Sequence, residues 1–218
     1  MAYPSDRLAL VHQQVERACK TARRSPESVE LVAVSKTRTV EEIEPLIAAG
    51  QRAFGESRVQ EAEAKWPALR RRDPRLTLHM IGRLQSNKAA EAVALFDVIH
   101  SLDRPSLLDA LAAAADKAGR FPACFVQVNI GAEAQKGGVA IADLGPFLDR
   151  VRASPLPLAG LMCIPPAERE AAPYFALCNE LALRHGLTGL SMGMSADYPT
   201  AVLLGATVLR VGAALFEG

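Results

Sequence analysis

The sequence predicts a closed (β/α)8 TIM barrel with one extra helix at its N-terminus. Three observations lead there. Across residues 30–212, eight short apolar runs alternate with stretches of helical periodicity. Alternating strands and helices pair in parallel through right-handed crossovers, and about eight such units favour a closed barrel over an open sheet. The 218 residues suit one barrel and leave little for anything else. No Pro/Ser-rich linker divides the chain, so residues 1–218 read as a single domain.

Ser5–Ala22 carries Leu8, Val11, Val15, Ala18 and Ala22 on one helical face, with Ser5 or Asp6 as the cap. The expected strands are Glu30–Ser35, Arg52–Gly55, Leu76–Gly82, Asp97–Leu102, Ala123–Ile130, Leu158–Ile164, Leu187–Gly193 and Thr207–Gly212. Between them, helices are expected over Val40–Ala49, Arg58–Arg71, Asn87–Leu95, Ser106–Lys117, Ile141–Ala153, Glu168–His185 and Ala196–Leu204. Thr39 and Glu42 have capping-box spacing. Ser195 and Asp197 put an acceptor and then a negative charge at a helix start. Gly50, Gly119 and Gly205 stand where helices should end.

Composition excludes several classes. Half the residues are hydrophobic and the net charge is +1, so no basic field points to nucleic acid or a membrane surface. The four cysteines are widely spaced without a CxxC pair, so no metal site is expected and a reducing, cytoplasmic setting fits. No run reaches membrane-spanning length, and no signal-peptide core is visible.

Function on this fold gathers at the C-terminal strand ends. The first strand ends in Ser35-Lys36-Thr37. Lys36 is either a solvated lysine or, if apolar walls half shield it, a neutral and nucleophilic amine. His79 lies inside the third strand as a core group or a base. Gln85, Asn87 and Lys88 either contact a ligand or cap the next helix, and Asp103 reads as a cap. Lys136-Gly137-Gly138 is a turn or a weak phosphate cradle, and Cys163 is a packing residue rather than a nucleophile. The last two ends are more informative. Ser191-Met192-Gly193-Met194-Ser195 opens a helix, and Arg210-Val211-Gly212-Ala213 closes the eighth strand. Phosphate sites in this fold use these two loops. Ser191 supplies a hydroxyl, Gly212 admits close backbone approach, and Arg210 needs a partner in the interior. A lysine and a phosphate cradle facing one cavity are both satisfied by a phosphorylated aldehyde, and pyridoxal 5′-phosphate (PLP) is such a molecule.

The motifs LVAVSKT around Lys36, FGES at 54–57, HMIGRLQSNK at 79–88, GLMCIPP at 160–166, LSMGMSADY at 190–198 and LRVGAALF at 209–216 cover nearly the whole chain. Together they resemble the pyridoxal phosphate homeostasis proteins, the YggS/PROSC family, whose barrel is similar to the N-terminal domain of alanine racemase (fold type III PLP proteins). The resemblance implies a Schiff base at Lys36 and a phosphate held by Ser191 and the Gly212–Ala213 backbone. It implies Arg210 at the pyridine nitrogen, and Met192, Ser57, His79 and Asn87 complete the cofactor-binding set. Three positions depart from the family pattern: Ser57 replaces Asn, Arg83 replaces Pro and Ala213 replaces Thr. The last removes a phosphate-binding hydroxyl, so weaker PLP retention is expected.

The resemblance implies a monomeric PLP carrier in vitamin B6 homeostasis, without turnover of its own, and with PLP-dependent apo-enzymes as possible recipients. Racemisation needs acid–base groups on two faces of the substrate adduct. Alanine racemases take one from a C-terminal domain, and this chain ends at Gly218 after its eighth strand. The alternative is a small amino-acid racemase or lyase with Lys36 as one base and His79 or Tyr198 as the other. A third reading is a phosphate-binding barrel with no covalent link. Lys88 and Lys136 are either solvated or a second, transient PLP site.

Overall fold

The computed structural model describes residues 3–133 and 135–217. Eight parallel strands close a barrel in chain order: β1 (Glu30–Val34), β2 (Ala53–Glu56), β3 (Thr77–Met80), β4 (Val98–Leu102), β5 (Ala123–Gln127), β6 (Leu158–Met162), β7 (Leu190–Ser191) and β8 (Val208–Val211). The β1–β8 seam closes in the register Val32↔Arg210 and Ala33↔Val211. The helices are α1 (Pro4–Thr21), α2 (Val40–Ala48), α3 (Val59–Arg72), α4 (Ala89–Leu95), α5 (Pro105–Ala118), α6 (Leu144–Arg152), α7 (Ala172–Arg184), α8 (Tyr198–Leu203) and α9 (Ala213–Phe216). The barrel and its additional helix are therefore present.

α1 buries Leu8, Val11, Val15, Ala18 and Cys19 and packs against α8 and α9. It starts one residue earlier than expected. Tyr3 holds the cap position, and the Asp6 carboxylate accepts the Tyr3 amide at 3.3 Å. The Thr39–Glu42 capping box forms as expected. Gly50, Gly119 and Gly205 follow their helices at φ +102°, +63° and +100°. α7 starts at Ala172 instead of Glu168 because Pro173 suits only a first turn. α9 lies in a stretch where no helix is expected.

Strand alternation divides two cores. Leu31, Ala33, Phe54, Leu78, Leu209 and Val211 face the helices, joined by Trp66, Phe96 and Phe175. Val32, Ala53, Phe125, Met162 and Val208 form the smaller cluster that fills the barrel. Each large side chain fully buried in the outer core stabilises by about 1.5–3 kcal/mol. The inner cluster leaves room for polar groups, and His79, His100, Ser191 and Arg210 take it.

Candidate cofactor site

Lys36 has the strand parity of Val32 and Val34 and follows β1 at the mouth. It is exposed, so of the two alternatives the solvated lysine is the one present and the apolar shielding is not. What holds it is its backbone. The Ser35 hydroxyl donates to Glu56 Oε1 at 2.8 Å. Lys65 Nζ lies 2.8 Å from Glu56 Oε1 and 3.0 Å from Glu61 Oε1, and it donates to the Ser35 and Arg38 carbonyls, each at 3.1 Å. The Thr37 amide donates to Glu61 Oε1. Thr37 sits at φ +64°, a left-handed conformation that strains a β-branched residue. The segment 35–38 is thus clamped from β2 and α3 while the Lys36 amine stays free of any partner among the described residues.

Gly212 lies two residues beyond the Val32↔Arg210 pair, against Val34, where an added Cβ would meet Val34 Cβ at 3.3 Å. Its amide and that of Ala214 both donate to Ser195 Oγ at 3.2 Å. Two amides and a hydroxyl therefore converge on one point of the rim beside Lys36. The turn that brings Ser195 there needs glycine. Gly193 has φ +95°, and a Cβ on it would lie 2.6 Å from Ala201 Cβ. Asp197 turns its carboxylate back to the Met194 amide at 2.6 Å, so neither Ser195 nor Asp197 caps the amides of α8. Ala213 is exposed on the rim.

Beneath the rim runs a buried polar chain. Arg210 donates to Ser191 Oγ at 2.5 Å and to the Cys163 carbonyl at 3.0 Å. Ser191 Oγ contacts His100 Nδ1 at 2.7 Å, and His100 Nε2 contacts His79 Nδ1 at 3.0 Å. His79 Nε2 ends 3.9 Å from Glu30. Burial pushes His79 down to about 4 and His100 well below the ordinary histidine range, so both are neutral at pH 7. Burial also draws Arg210 below the usual arginine value. One polarity satisfies every contact of the chain and leaves only His79 Nε2 at its end without a hydrogen-bond partner. Arg210 donates to Ser191, the Ser191 hydroxyl donates to His100, and His100 donates to His79.

The candidate residues thus separate into three places. Lys36, Gly212 and Ala213 share the rim. Arg210, Ser191 and His79 lie in the interior. Ser57 and Asn87 line a side cavity with Gln85 and Lys88. Met192 is buried, and its amide donates to the Val208 carbonyl at 3.1 Å. Gln85 precedes a 3₁₀ turn, Ser86–Lys88, without capping it through its side chain. Asp103 pairs with Arg104 at 2.6 Å instead of capping α5. Lys136 is tied to Glu133 at 2.6 Å. Tyr198 is buried, and its hydroxyl donates to Gln14 of α1 at 2.7 Å. Cys163 is buried and free, like the other three cysteines. The residues not foreseen as site components are Ser195, His100 and the Glu56–Lys65–Glu61 clamp. Ser195 carried a signal, since it sits in the same turn as Ser191.

Two amides and a hydroxyl on the rim with a clamped lysine, on an eight-stranded parallel barrel, define a class. The chain belongs to the family described as alanine racemase, N-terminal domain, whose model matches residues 9–218. Within it the chain is similar to the pyridoxal phosphate homeostasis protein of Pseudomonas aeruginosa, with 40% identity over 99% of this chain and 96% of that protein. The pyridoxal phosphate homeostasis protein of Aquifex aeolicus is 36% identical over 97% of this chain and 96% of its own length. Among solved structures, PipY of Synechococcus elongatus with PLP bound superposes at a TM-score of 0.82, with 41% identity over 94% of this chain and 100% of that one.

Proposed function

We propose that the protein holds PLP at the barrel mouth through Lys36 and serves PLP homeostasis without turnover of its own. One observation carries this reading: a partner-free lysine amine shares a rim with two amides and a hydroxyl that converge at Ser195, above a buried guanidinium. These donors fit the cofactor's aldehyde, phosphate and ring. When bound, PLP supplies an aldehyde that condenses with a primary amine and a ring that withdraws electrons. Lys36 provides the amine, and the clamp on Ser35–Arg38 fixes where it stands. Ser195 Oγ and the Gly212 and Ala214 amides hold the phosphate. The Ser191 hydroxyl is engaged with Arg210 and His100, so it orients the guanidinium instead of meeting the phosphate. A fixed positive charge disfavours a proton on a ring nitrogen beside it and leaves the ring a weak electron sink.

The placements of His79 and Tyr198 favour holding over racemisation. Both were candidates for a second acid–base group. His79 is in the interior, bonded to His100, and Tyr198 is bonded to α1. Delivery to PLP-dependent apo-enzymes, a monomeric state and a reducing cytoplasmic setting belong to the same reading. Four buried free cysteines support the last. No helix among the described residues is long and apolar enough to cross a membrane.

The test is an absorbance titration with PLP. Wild type should develop the visible band of lysine-bound PLP, Lys36→Ala should not, and Ser195→Ala should need about tenfold more PLP, the loss of one or two hydrogen bonds. A band that survives Lys36→Ala would overturn the reading.

A further inference from the structure

A cavity of about 590 Å³ opens beside the mouth, between the start of α3, residues 80–88 and Arg104. Its origin is a close approach at Gly82. A Cβ there would lie 2.3 Å from the Ser57 carbonyl oxygen and 2.7 Å from Ser57 Cα, so the two loops touch backbone to backbone. The next residue on each loop is an arginine, Arg58 and Arg83. Both are exposed, and neither forms an ion pair or side-chain hydrogen bond among the described residues.

The other cations of the lining, Lys88 and Arg104, are offset by Glu91 at 2.9 Å and Asp103 at 2.6 Å. Glu61, the carboxylate that senses Arg58, is held by Lys65 at 3.0 Å. No Asp or Glu belongs to the lining, while Ser57, Gln85 and Asn87 add neutral donors. Two positive charges therefore stand on touching loops, Arg83 with no carboxylate in the lining to offset it and Arg58 with only Glu61, which Lys65 already holds. A cation finds no ligand oxygen of opposite charge here, and an apolar molecule would face four charged side chains. The volume falls within the range of small-molecule sites.

We propose that this cavity binds a small dianion, of the phosphate monoester or dicarboxylate class, at a place separate from the Ser195–Gly212 cradle. Arg83 also borders a recess of about 300 Å³ at the mouth, lined by Gln127, Asn129 and Lys136. An occupant would thus lie one side chain away from that recess.

Isothermal titration at low ionic strength tests this, with inorganic phosphate and malonate as separate probes. The protein is titrated as purified and again after PLP loading and borohydride reduction, so the outcome does not depend on the cofactor. In the PLP-loaded, reduced protein, whose cradle is filled, saturable one-site binding of either probe is expected, weakened about tenfold or more in Arg58→Ala/Arg83→Ala by loss of charge-assisted hydrogen bonds. It should persist in Ser195→Ala, and the probe that binds better identifies the class. Circular dichroism checks that the arginine variant is folded, as expected for two exposed sites. The proposal is overturned by no saturable binding, by binding to the PLP-loaded, reduced protein that survives the double change, or by binding lost in Ser195→Ala.

Discussion

Replacing Lys65 with Met removes the ammonium that joins β2 and α3 to the segment bearing Lys36. Glu56 is fully buried, and Lys65 is 8% exposed. Without Lys65, the Glu56 carboxylate keeps only the Ser35 hydroxyl at 2.8 Å and the Trp66 indole N–H at 3.0 Å, the Arg38 carbonyl loses its donor, and the Ser35 carbonyl keeps only the Arg38 amide at 3.0 Å. Removing one member of a buried ion pair costs about 3–5 kcal/mol, and the slight exposure of Lys65 places this case near 3 kcal/mol. That is a large share of a typical stability of about 5–15 kcal/mol. Trp66 is the sole tryptophan and bonds to Glu56, so its fluorescence in urea reports unfolding at the clamp itself. Glu56→Gln should cost less, about 1–2 kcal/mol, because Lys65 retains Glu61. The double variant should fall short of additivity by about 1 kcal/mol or more. A loss below about 1 kcal/mol in Lys65→Met, or strict additivity, would refute the clamp as the device that fixes Lys36.

Three further outcomes are expected. His79 is held near 4 by burial, below the ordinary value of 6.5, so the unfolded chain binds its proton first as pH falls. His79 stability is therefore complete above pH 6.5 and lost on the way to pH 4, about 2.5 kcal/mol by pH 4.5, and His79→Asn should remove that share of the fall in the urea midpoint while the share from buried His100 remains. Thr37→Asn should raise stability by about 0.5–1 kcal/mol in thermal unfolding, since asparagine tolerates the left-handed conformation; a loss would contradict the strain at φ +64°. Ala213→Thr should tighten PLP retention by restoring a hydroxyl at the rim, and an unchanged affinity in titration would remove Ala213 as the weak point.

Much of this architecture was legible in the sequence because it rests on local signals. Short apolar runs and stretches of helical periodicity marked all eight strands and eight helices, and Gly50, Gly119 and Gly205 ended helices where they stood. β7 shrank to Leu190–Ser191, since regular pairing needs register with both neighbours and a seven-residue pattern does not supply it. α9 escaped notice because Ala213–Phe216 makes a single turn, too short for a periodic signal. In the site, Lys36, Gly212 and Ala213 were found by their places at strand ends. Ser195 was seen only as a helix-start acceptor, because its amide partners lie 17 and 19 residues away. His100 gave no sign for the same reason, with partners 21 and 91 residues distant, and Lys65 reads locally as an i,i+4 pair with Glu61 while the carbonyls it holds lie 27 and 30 residues away. Ser57 and Asn87 were grouped with the ring by motif alone, and both line the neighbouring cavity.

The attachment at Lys36 is tested most directly by borohydride reduction of the PLP-loaded protein followed by peptide mapping. A single pyridoxyl group on Lys36 is expected, with none in Lys36→Ala. Label on Lys88 or Lys136 in its place, or a loaded protein that yields no pyridoxyl-lysine, would contradict it.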